Sequence, residues 1–315
     1  MSLPAFTDPV PDGGYRWWYL DAISDDGRHA LTAIVFIGSV FSPWYAAARR
    51  RGPAPARDHS AINLALYGPC RRWCMTERGA DSVRASSSEL RIGPSRLTHA
   101  PLRLSLEVAE WTVPWPRALV GTLEVTLPDI TSTPVRLDRA GHHQWQVIAP
   151  QAAIEVRLEQ PRLRWRGRAY LDSNAGGVPL EDSFRSWTWS RRHGANGTTT
   201  IRYDILEREA AAEPSPLARS FELATGRLRE IELVETSVRL PPTRWFRMPR
   251  PTRHASTARI DSLQTLEDAP FYARSRYREI DTCGVGEVIH ESLLLDRFSH
   301  RAVQCLLPFR APRRA

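Results

Sequence analysis

Apolar and polar residues alternate with a period of two along several segments of the chain. The apolar positions of these segments are Leu102, Leu104, Leu106 and Val108; Ile154, Val156 and Leu158; Ile201, Tyr203 and Ile205; and Trp187 and Trp189. A strand points successive side chains to opposite faces, so this alternation is typical of antiparallel strands with one buried face. The pattern predicts a mainly β protein.

Short segments rich in Gly, Asn and Asp separate the predicted strands. They lie at residues 12–14, 25–27, 174–177, 194–197 and 225–226. Many short strands joined by tight turns are typical of sandwiches and barrels. The 25 prolines disfavour long helices. We expect one short C-terminal helix within residues 291–307, where Leu294, Phe298 and Val303 would share a face.

Two aromatic segments, residues 14–19 and 184–189, each follow a turn and suggest an internal duplication. A chain of 315 residues is long enough to form two domains. We therefore predict two antiparallel β-barrel domains of similar size, residues 1–168 and 169–315.

All 43 basic residues are arginine, against 35 acidic residues, and the net charge is +8. This excess favours an anionic partner, either nucleic acid or a lipid headgroup surface. No nucleic-acid motif accompanies the arginine runs, so we expect no nucleic-acid binding. The apolar stretch at residues 30–42 is too short to span a membrane. The N-terminal residues lack the basic region of a signal peptide. The four cysteines fit neither a disulfide framework nor a zinc pattern, so we expect them to be reduced core residues in the cytoplasm.

Two pairs of residues, each two apart in the sequence, are the candidates for catalysis. His143 and Trp145 would share one face of a strand, and Tyr170 and Asp172 would share one face of another. If the two strands are neighbours, an acid, an imidazole and two electron-rich rings converge. The same residues are also common as core or rim residues, and an Asp ahead of Ser173 is common in turns. The adjacent His142 and His143 point to opposite faces, and we predict no metal site.

Several longer motifs are similar to one family, the bacterial carotenoid 1,2-hydratases, also called hydroxyneurosporene synthases. The motifs are GGYRWWYLDA at 13–22, FIGSVFSP at 36–43, NLALYG at 63–68, MTERG at 75–79, VPWP at 113–116, YLDSNAG at 170–176, PLE at 179–181, WTWSR at 187–191 and LPFR at 307–310. The resemblance extends over nearly the whole chain. It implies two lipocalin-like barrels, in agreement with the strand pattern.

The resemblance also implies a reaction and a site. Members of this family add water to the terminal double bond of neurosporene or lycopene without a cofactor, and the product is a tertiary alcohol. The implicated His, Trp, Tyr and Asp correspond to His143, Trp145, Tyr170 and Asp172.

We hypothesise that Asp172, kept protonated by an apolar pocket that raises its pKa, protonates the alkene. Trp145 and Tyr170 would face the resulting cation. His143 would hold the water and accept its proton, although the reverse assignment of Asp172 and His143 stays open.

The expected partners follow from this chemistry. The substrate is an apolar polyene dissolved in a bilayer, so we expect peripheral association with an anionic membrane surface. The resemblance places it on the cytoplasmic side of the inner, photosynthetic membrane, near other enzymes of the carotenoid pathway. Two alternatives remain: a lipocalin-type carrier of apolar isoprenoids, and a related terpenoid or polyketide cyclase or isomerase.

Overall fold

The computed structural model describes residues 3–128, 133–194, 197–209, 215–222, 227–229, 235–255, 257–282 and 284–314. The strands of the first half of the chain are β1 (Tyr15–Ser24), β2 (Ala30–Ile37), β3 (Ser60–Tyr67), β4 (Arg72–Arg78), β5 (Val83–Ala85), β6 (Glu89–Ile92), β7 (Ser95–Ala100), β8 (Arg103–Trp111), β9 (Ala118–Thr126), β10 (Val135–Arg136), β11 (His143–Gln160) and β12 (Leu163–Gly176). The predicted mainly β architecture is confirmed.

The strands of the second half are β13 (Phe184–Gly194), β14 (Thr198–Glu207), β15 (Ser215–Glu222), β16 (Arg227–Arg229), β17 (Glu235–Leu240), β18 (Arg250–Ala255), β19 (Arg259–Asp268), β20 (Tyr272–Asp281), β21 (Gly284–Leu294) and β22 (Arg313–Arg314). The α-helices are α1 (Pro43–Arg49), α2 (Leu180–Ser183), α3 (Leu295–Phe298) and α4 (Arg301–Leu306). Short 3-10 helices occupy Ala56–His59, Ala80–Ser82 and Leu307–Phe309. None of the helices in the described ranges has the length and apolar character needed to cross a membrane.

The chain divides into two compact units, Met1–Pro179 with Gln304–Ala315, and Leu180–Val303. We propose that these units are the two domains expected from the sequence. Residues 168 and 169, where the sequence suggests the boundary, lie within strand β12 of the first unit. The second unit begins with helix α2, so the proposed boundary moves to residues 179 and 180.

In the first unit, thirteen of the described strands form one sheet in the order β22-β4-β3-β2-β1-β12-β11-β9-β8-β7-β6-β5, with β10 beside β11. Neighbouring strands are antiparallel, except that β22 runs parallel to β4. The aromatic segment at 14–19 forms the first half of β1, which lies between β2 and β12.

One face of this sheet forms a dense apolar core. Trp18, Leu20 and Leu171 belong to it, together with the alternating leucines of β8. The cavity among these side chains has a volume of only about 10 Å³. Sites for small molecules usually need several hundred Å³. This face of the sheet is therefore too tightly packed to hold a polyene.

In the second unit, the described strands form a sheet in the order β16-β15-β14-β13-β21-β20-β19 and a separate pair, β17 with β18. The aromatic segment at 184–189 begins β13, which lies between β14 and β21. Many buried positions here are polar. For example, Arg202 pairs with the fully buried Glu279. Such buried charges are stable only when they are paired.

The alternating segments predicted as strands lie in β8, β11, β13 and β14, as expected. Leu102 is an exception, because it lies in the turn between β7 and β8 with a φ of 57° and is 48% exposed. It follows Pro101, and proline before a residue with positive φ is the combination of a type II turn. The turn segments at 195–196 and 225–226 lie outside the described residues.

The C-terminal helical region differs from the prediction. Strand β21 continues to Leu294, and the helix is divided into α3 and α4. Ser299 lies at the break, where its hydroxyl donates to the carbonyl of Leu295. A serine side chain that bonds the backbone competes with regular helix, which explains the interruption. Helix α1 was not predicted.

Candidate active site

The candidate residues lie on the central strands of the first unit, β11, β12 and β1, on the face opposite the apolar core. Because side chains alternate along a strand, Leu171 faces the core while Tyr170 and Asp172 face the other side. These opposite-face side chains are also buried. The site therefore occupies a sheet region that is covered on both faces.

Asp172 is the centre of a hydrogen-bonded group. The Trp145 indole Nε1 donates to Asp172 Oδ2 at 2.9 Å, and the Tyr170 hydroxyl donates to the same oxygen at 2.8 Å. Asp172 is only 3% exposed. Two donors on one oxygen orient the carboxyl group and stabilise a negative charge on it. Strand pairing between β11 and β12, with Val147 opposite Asp172, brings these residues together.

His143 lies at the other end of the site. Its Nδ1 is 2.9 Å from the Tyr15 hydroxyl, and its backbone N–H donates to Asp138 Oδ1. Burial lowers the pKa of His143 to about 4, and the nearby carboxylate of Asp138 raises it only in part. The imidazole is therefore neutral at pH 7. By strand register, His143 is opposite Gly176, four residues from Asp172.

Aromatic rings line the part of the site around His143. The rings of Tyr15 and Trp17 are stacked with centroids 4.8 Å apart, and Tyr15 also stacks on His143 at 5.8 Å. Trp17 meets Phe36 edge-on at 6.0 Å. Electron-rich ring faces attract cations. This wall is suited to an apolar substrate on which positive charge develops.

The structure thus brings Trp145, Tyr170 and Asp172 into direct contact, and it places His143 on Tyr15. Four further residues of β1 on this face were not predicted from the sequence: Tyr15, Trp17, Tyr19 and Asp21. Asp21 is 1% exposed and accepts a hydrogen bond from Tyr19 at 3.2 Å. A signal was present, because residues 19–21 repeat the Tyr-x-Asp spacing of residues 170–172.

Within the described ranges, no group of three or more His, Cys, Asp or Glu side chains is arranged to hold a metal ion. His142 is directed away from the site, and its side chain is 54% exposed. The chemistry that the site itself offers is proton transfer by a buried carboxyl group, beside a neutral imidazole and several aromatic rings.

The family model of carotenoid hydratase CrtC matches residues 33–315. The acyclic carotenoid 1,2-hydratase of Thiocapsa roseopersicina is 46% identical over 98% of this chain and 76% of its own length. The enzyme of the same name from Rubrivivax gelatinosus is 44% identical over 100% of this chain and 77% of its own length.

Solved structures show the same fold at low identity. A putative AttH from Nitrosomonas europaea superposes with a TM-score of 0.62 at 12% identity, over 93% of this chain and 96% of that one. CghA superposes with a TM-score of 0.54 at 10% identity, over 95% and 96%. The lipocalin-like fold predicted from the sequence is confirmed. Together with the matches to hydratases, the resemblance is confirmed, and the chain belongs to the carotenoid hydratase family and is an enzyme of the hydro-lyase class.

Proposed function

We propose that the protein adds water to the terminal carbon–carbon double bond of an acyclic carotenoid, with neurosporene or lycopene as substrate and a tertiary alcohol as product. The observation that carries this proposal is the buried Asp172 carboxyl group, held by Trp145 and Tyr170 on the sheet face opposite the packed core. Family membership favours an enzyme over a carrier of isoprenoids, and the hydratase relatives favour hydration over cyclisation.

The first step is protonation of the alkene. An isolated alkene is a weak base, so it needs a strong, well-placed acid. Asp172 Oδ2 accepts two hydrogen bonds, so we assign the reactive proton to Oδ1. Transfer to the less substituted carbon leaves a tertiary cation and a carboxylate. The two donors on Oδ2 then stabilise the new negative charge.

The second step is capture of the cation by water. The aromatic rings beside the site stabilise the cation by about 0.5–2 kcal/mol per ring face. The water oxygen bonds to the tertiary carbon, and a base must accept the released proton. The sequence analysis gives this role to His143, which is uncharged at neutral pH, but a pKa of about 4 makes its imidazole a weak base.

The test is expression in cells that accumulate lycopene, followed by chromatography with mass detection of the pigments. Wild-type protein should produce species heavier than lycopene by one or two waters. Asp172→Asn should reduce them by at least about 100-fold, since general acids contribute about 10²–10⁴ in rate. The matched control is Asp25→Asn, in an exposed turn. Full activity of Asp172→Asn would exclude Asp172 as the acid.

We also propose that the first unit contacts an anionic membrane surface. Trp111 and Trp115 are 46% and 77% exposed at the end of β8. Beside them, an open groove of about 960 Å³ is lined by several arginines, among them Arg117 and Arg162. Exposed tryptophan next to arginine suits a lipid interface, with indole rings at headgroup level and guanidinium groups near phosphates. The implied location is the cytoplasmic face of the inner membrane.

Flotation with liposomes tests this surface. The double variant Arg117→Gln, Arg162→Gln should bind anionic vesicles about 30-fold more weakly, at about 1 kcal/mol per arginine. Arg103→Gln, at the opposite end of β8, is the matched control and should bind as wild type. Equal binding of the wild-type protein to neutral and anionic vesicles would exclude electrostatic docking.

A further inference from the structure

The site contains two tyrosine–aspartate pairs that face each other in antiparallel orientation. In the register of β1 and β12, Tyr19 is opposite Asp172 and Asp21 is opposite Tyr170. In each pair the tyrosine hydroxyl donates to Oδ2 of the aspartate two residues later, at 3.2 Å for Asp21 and 2.8 Å for Asp172. The rings of Tyr19 and Tyr170 meet edge-on, with centroids 6.2 Å apart. Two carboxyl groups therefore belong to one buried site.

By strand register, the Cα atom of Asp21 lies closer to the Cα atom of Asp172 than the Cα atom of His143 does. Asp21 and Asp172 occupy diagonal positions on paired strands, and such positions have Cα atoms about 7–8 Å apart. His143 is opposite Gly176, and the four steps along the strand from Gly176 to Asp172 span about 13 Å. A water molecule that attacks a cation formed at Asp172 is thus nearer to Asp21.

Thr32 supplies an independent reason to place a water beside Asp21. It is the partner of Asp21 on strand β2, so both side chains lie on the same face. Thr32 is 3% exposed, and its hydroxyl oxygen makes no hydrogen bond within the described part of the chain. A buried hydroxyl without a partner is costly, and a bridging water removes that cost.

We propose that Asp21 is the general base of the hydration and that it binds the attacking water together with the Thr32 hydroxyl. This assignment rests on the proposed function. In the proposed reaction, Asp172 supplies the proton and Asp21 acts as the accepting carboxylate. Asp172 gives its proton to the alkene carbon, the water oxygen bonds to the tertiary carbon, and a water proton passes to the Asp21 carboxylate. Return of that proton to Asp172 completes the net addition of one water.

The test uses the purified 315-residue chain in D₂O, with mass analysis of both the alcohol and the remaining hydrocarbon. Asp21→Asn keeps the size of the side chain and should reduce alcohol formation by at least about 100-fold. The cation should still form in this variant. It then loses a proton, so deuterium should appear in the recovered alkene or in its terminal-methylene isomer. Asp172→Asn should lose both the alcohol and the deuterium.

Variants of Thr32 and His143 complete the comparison. Thr32→Val should lower alcohol formation by about 10-fold without lowering deuterium uptake, and Thr32→Ser, which keeps the hydroxyl, should restore it. Thermal unfolding of each variant checks that the fold is kept.

Three results would overturn the assignment. Asp21→Asn could form alcohol within threefold of wild type, or it could lose alcohol formation and deuterium uptake in parallel. In the third result, His143→Gln loses alcohol formation selectively and Asp21→Asn does not. A wild-type protein that makes no alcohol would overturn the proposed function itself.

Discussion

At Gly176, the absence of a side chain allows Tyr15 and His143 to meet across strand β12. Gly176 is the register partner of both residues. A Cβ atom at this position would lie 2.5 Å from Tyr15 Cε1 and 2.6 Å from His143 Nδ1. Real Cβ contacts are not this short, so any larger residue must displace both rings. This glycine belongs to the YLDSNAG motif, and packing at the site explains why glycine stands there.

Gly176→Ala should therefore lower both stability and activity. Overpacking in a buried region costs about 1–3 kcal/mol, and the displaced Tyr15 and His143 should also disturb the site. Urea unfolding and the pigment assay measure the two effects. Gly177→Ala is the matched control, because its new Cβ would lie 3.9 Å from the nearest atom, Pro11 Cγ. Equal stability of the two variants would contradict the packing argument.

The buried imidazole of His143 makes stability depend on pH. Its pKa is lowered from 6.5 to about 4, chiefly by burial. Between these values the unfolded chain binds a proton that the folded chain does not. Acid therefore favours unfolding, and the contribution of His143 to the free energy of unfolding falls as the pH decreases from about 7 to 4.

His143→Gln should reduce this pH dependence. Between pH 7 and 4.5 the free energy of unfolding should fall by about 2–3 kcal/mol less than in wild type. Urea unfolding at several pH values measures the slope. The buried His290, whose pKa is also lowered to about 4, contributes equally to both proteins. His142→Gln is the control, because His142 is exposed. If His142→Gln changed the pH dependence of the free energy of unfolding as much as His143→Gln does, the assignment to His143 would be contradicted.

Among the elements, helix α1 shows how a local signal can be masked by a dominant pattern. Period-two alternation and proline content point away from helices in the part of the chain that precedes the predicted C-terminal helix. Helix α1 nevertheless begins with Pro43 directly after Ser42, whose hydroxyl accepts from the backbone N–H groups of Trp44 and Tyr45 at 3.1 and 3.0 Å. Serine at the N-cap followed by proline is a common helix start.

Ser42→Ala should lower the free energy of unfolding by about 1 kcal/mol, because it removes the acceptor for both backbone groups. Ser39→Ala tests whether the effect belongs to the cap. Ser39 is also fully buried, but its hydroxyl makes no hydrogen bond among the described residues. Chemical denaturation of the two variants should show a loss for Ser42→Ala alone. Similar losses would mean that burial, not capping, determines the cost.

At the scale of the whole molecule, the two ends of the chain belong to the same unit. Strand β22 pairs in parallel with β4, and Arg313 Nη1 lies 2.6 Å from Glu77 Oε1. The same carboxylate oxygen is 2.9 Å from His59 Nδ1. Glu77 is fully buried, so its charge needs these partners.

Arg313→Ala should lower the free energy of unfolding by about 2 kcal/mol, the size of a buried hydrogen bond to a charged group. Arg314→Ala should change it by less than about 0.5 kcal/mol, because Arg314 is exposed. Thermal or urea unfolding distinguishes the two variants. Equal effects would indicate that the C-terminal strand contributes through its backbone rather than through Arg313.

The sequence by itself determined the mainly β class, several of the strands and the grouping of His143 with Trp145 and of Tyr170 with Asp172. These results follow from alternation, which is a local property: residues two apart on a strand always share a face. The long motifs likewise carried the family assignment without any knowledge of the fold.

Only the tertiary structure decided which strands are neighbours. Alternation states which side chains share a face but not which strand lies beside it, and β1 and β12 are separated by more than a hundred residues. Their pairing brings Tyr19 and Asp21 opposite Tyr170 and Asp172. The same pairing joins Tyr15 to His143. Long-range register depends on how the whole sheet buries its apolar face, so it cannot be deduced from any one segment.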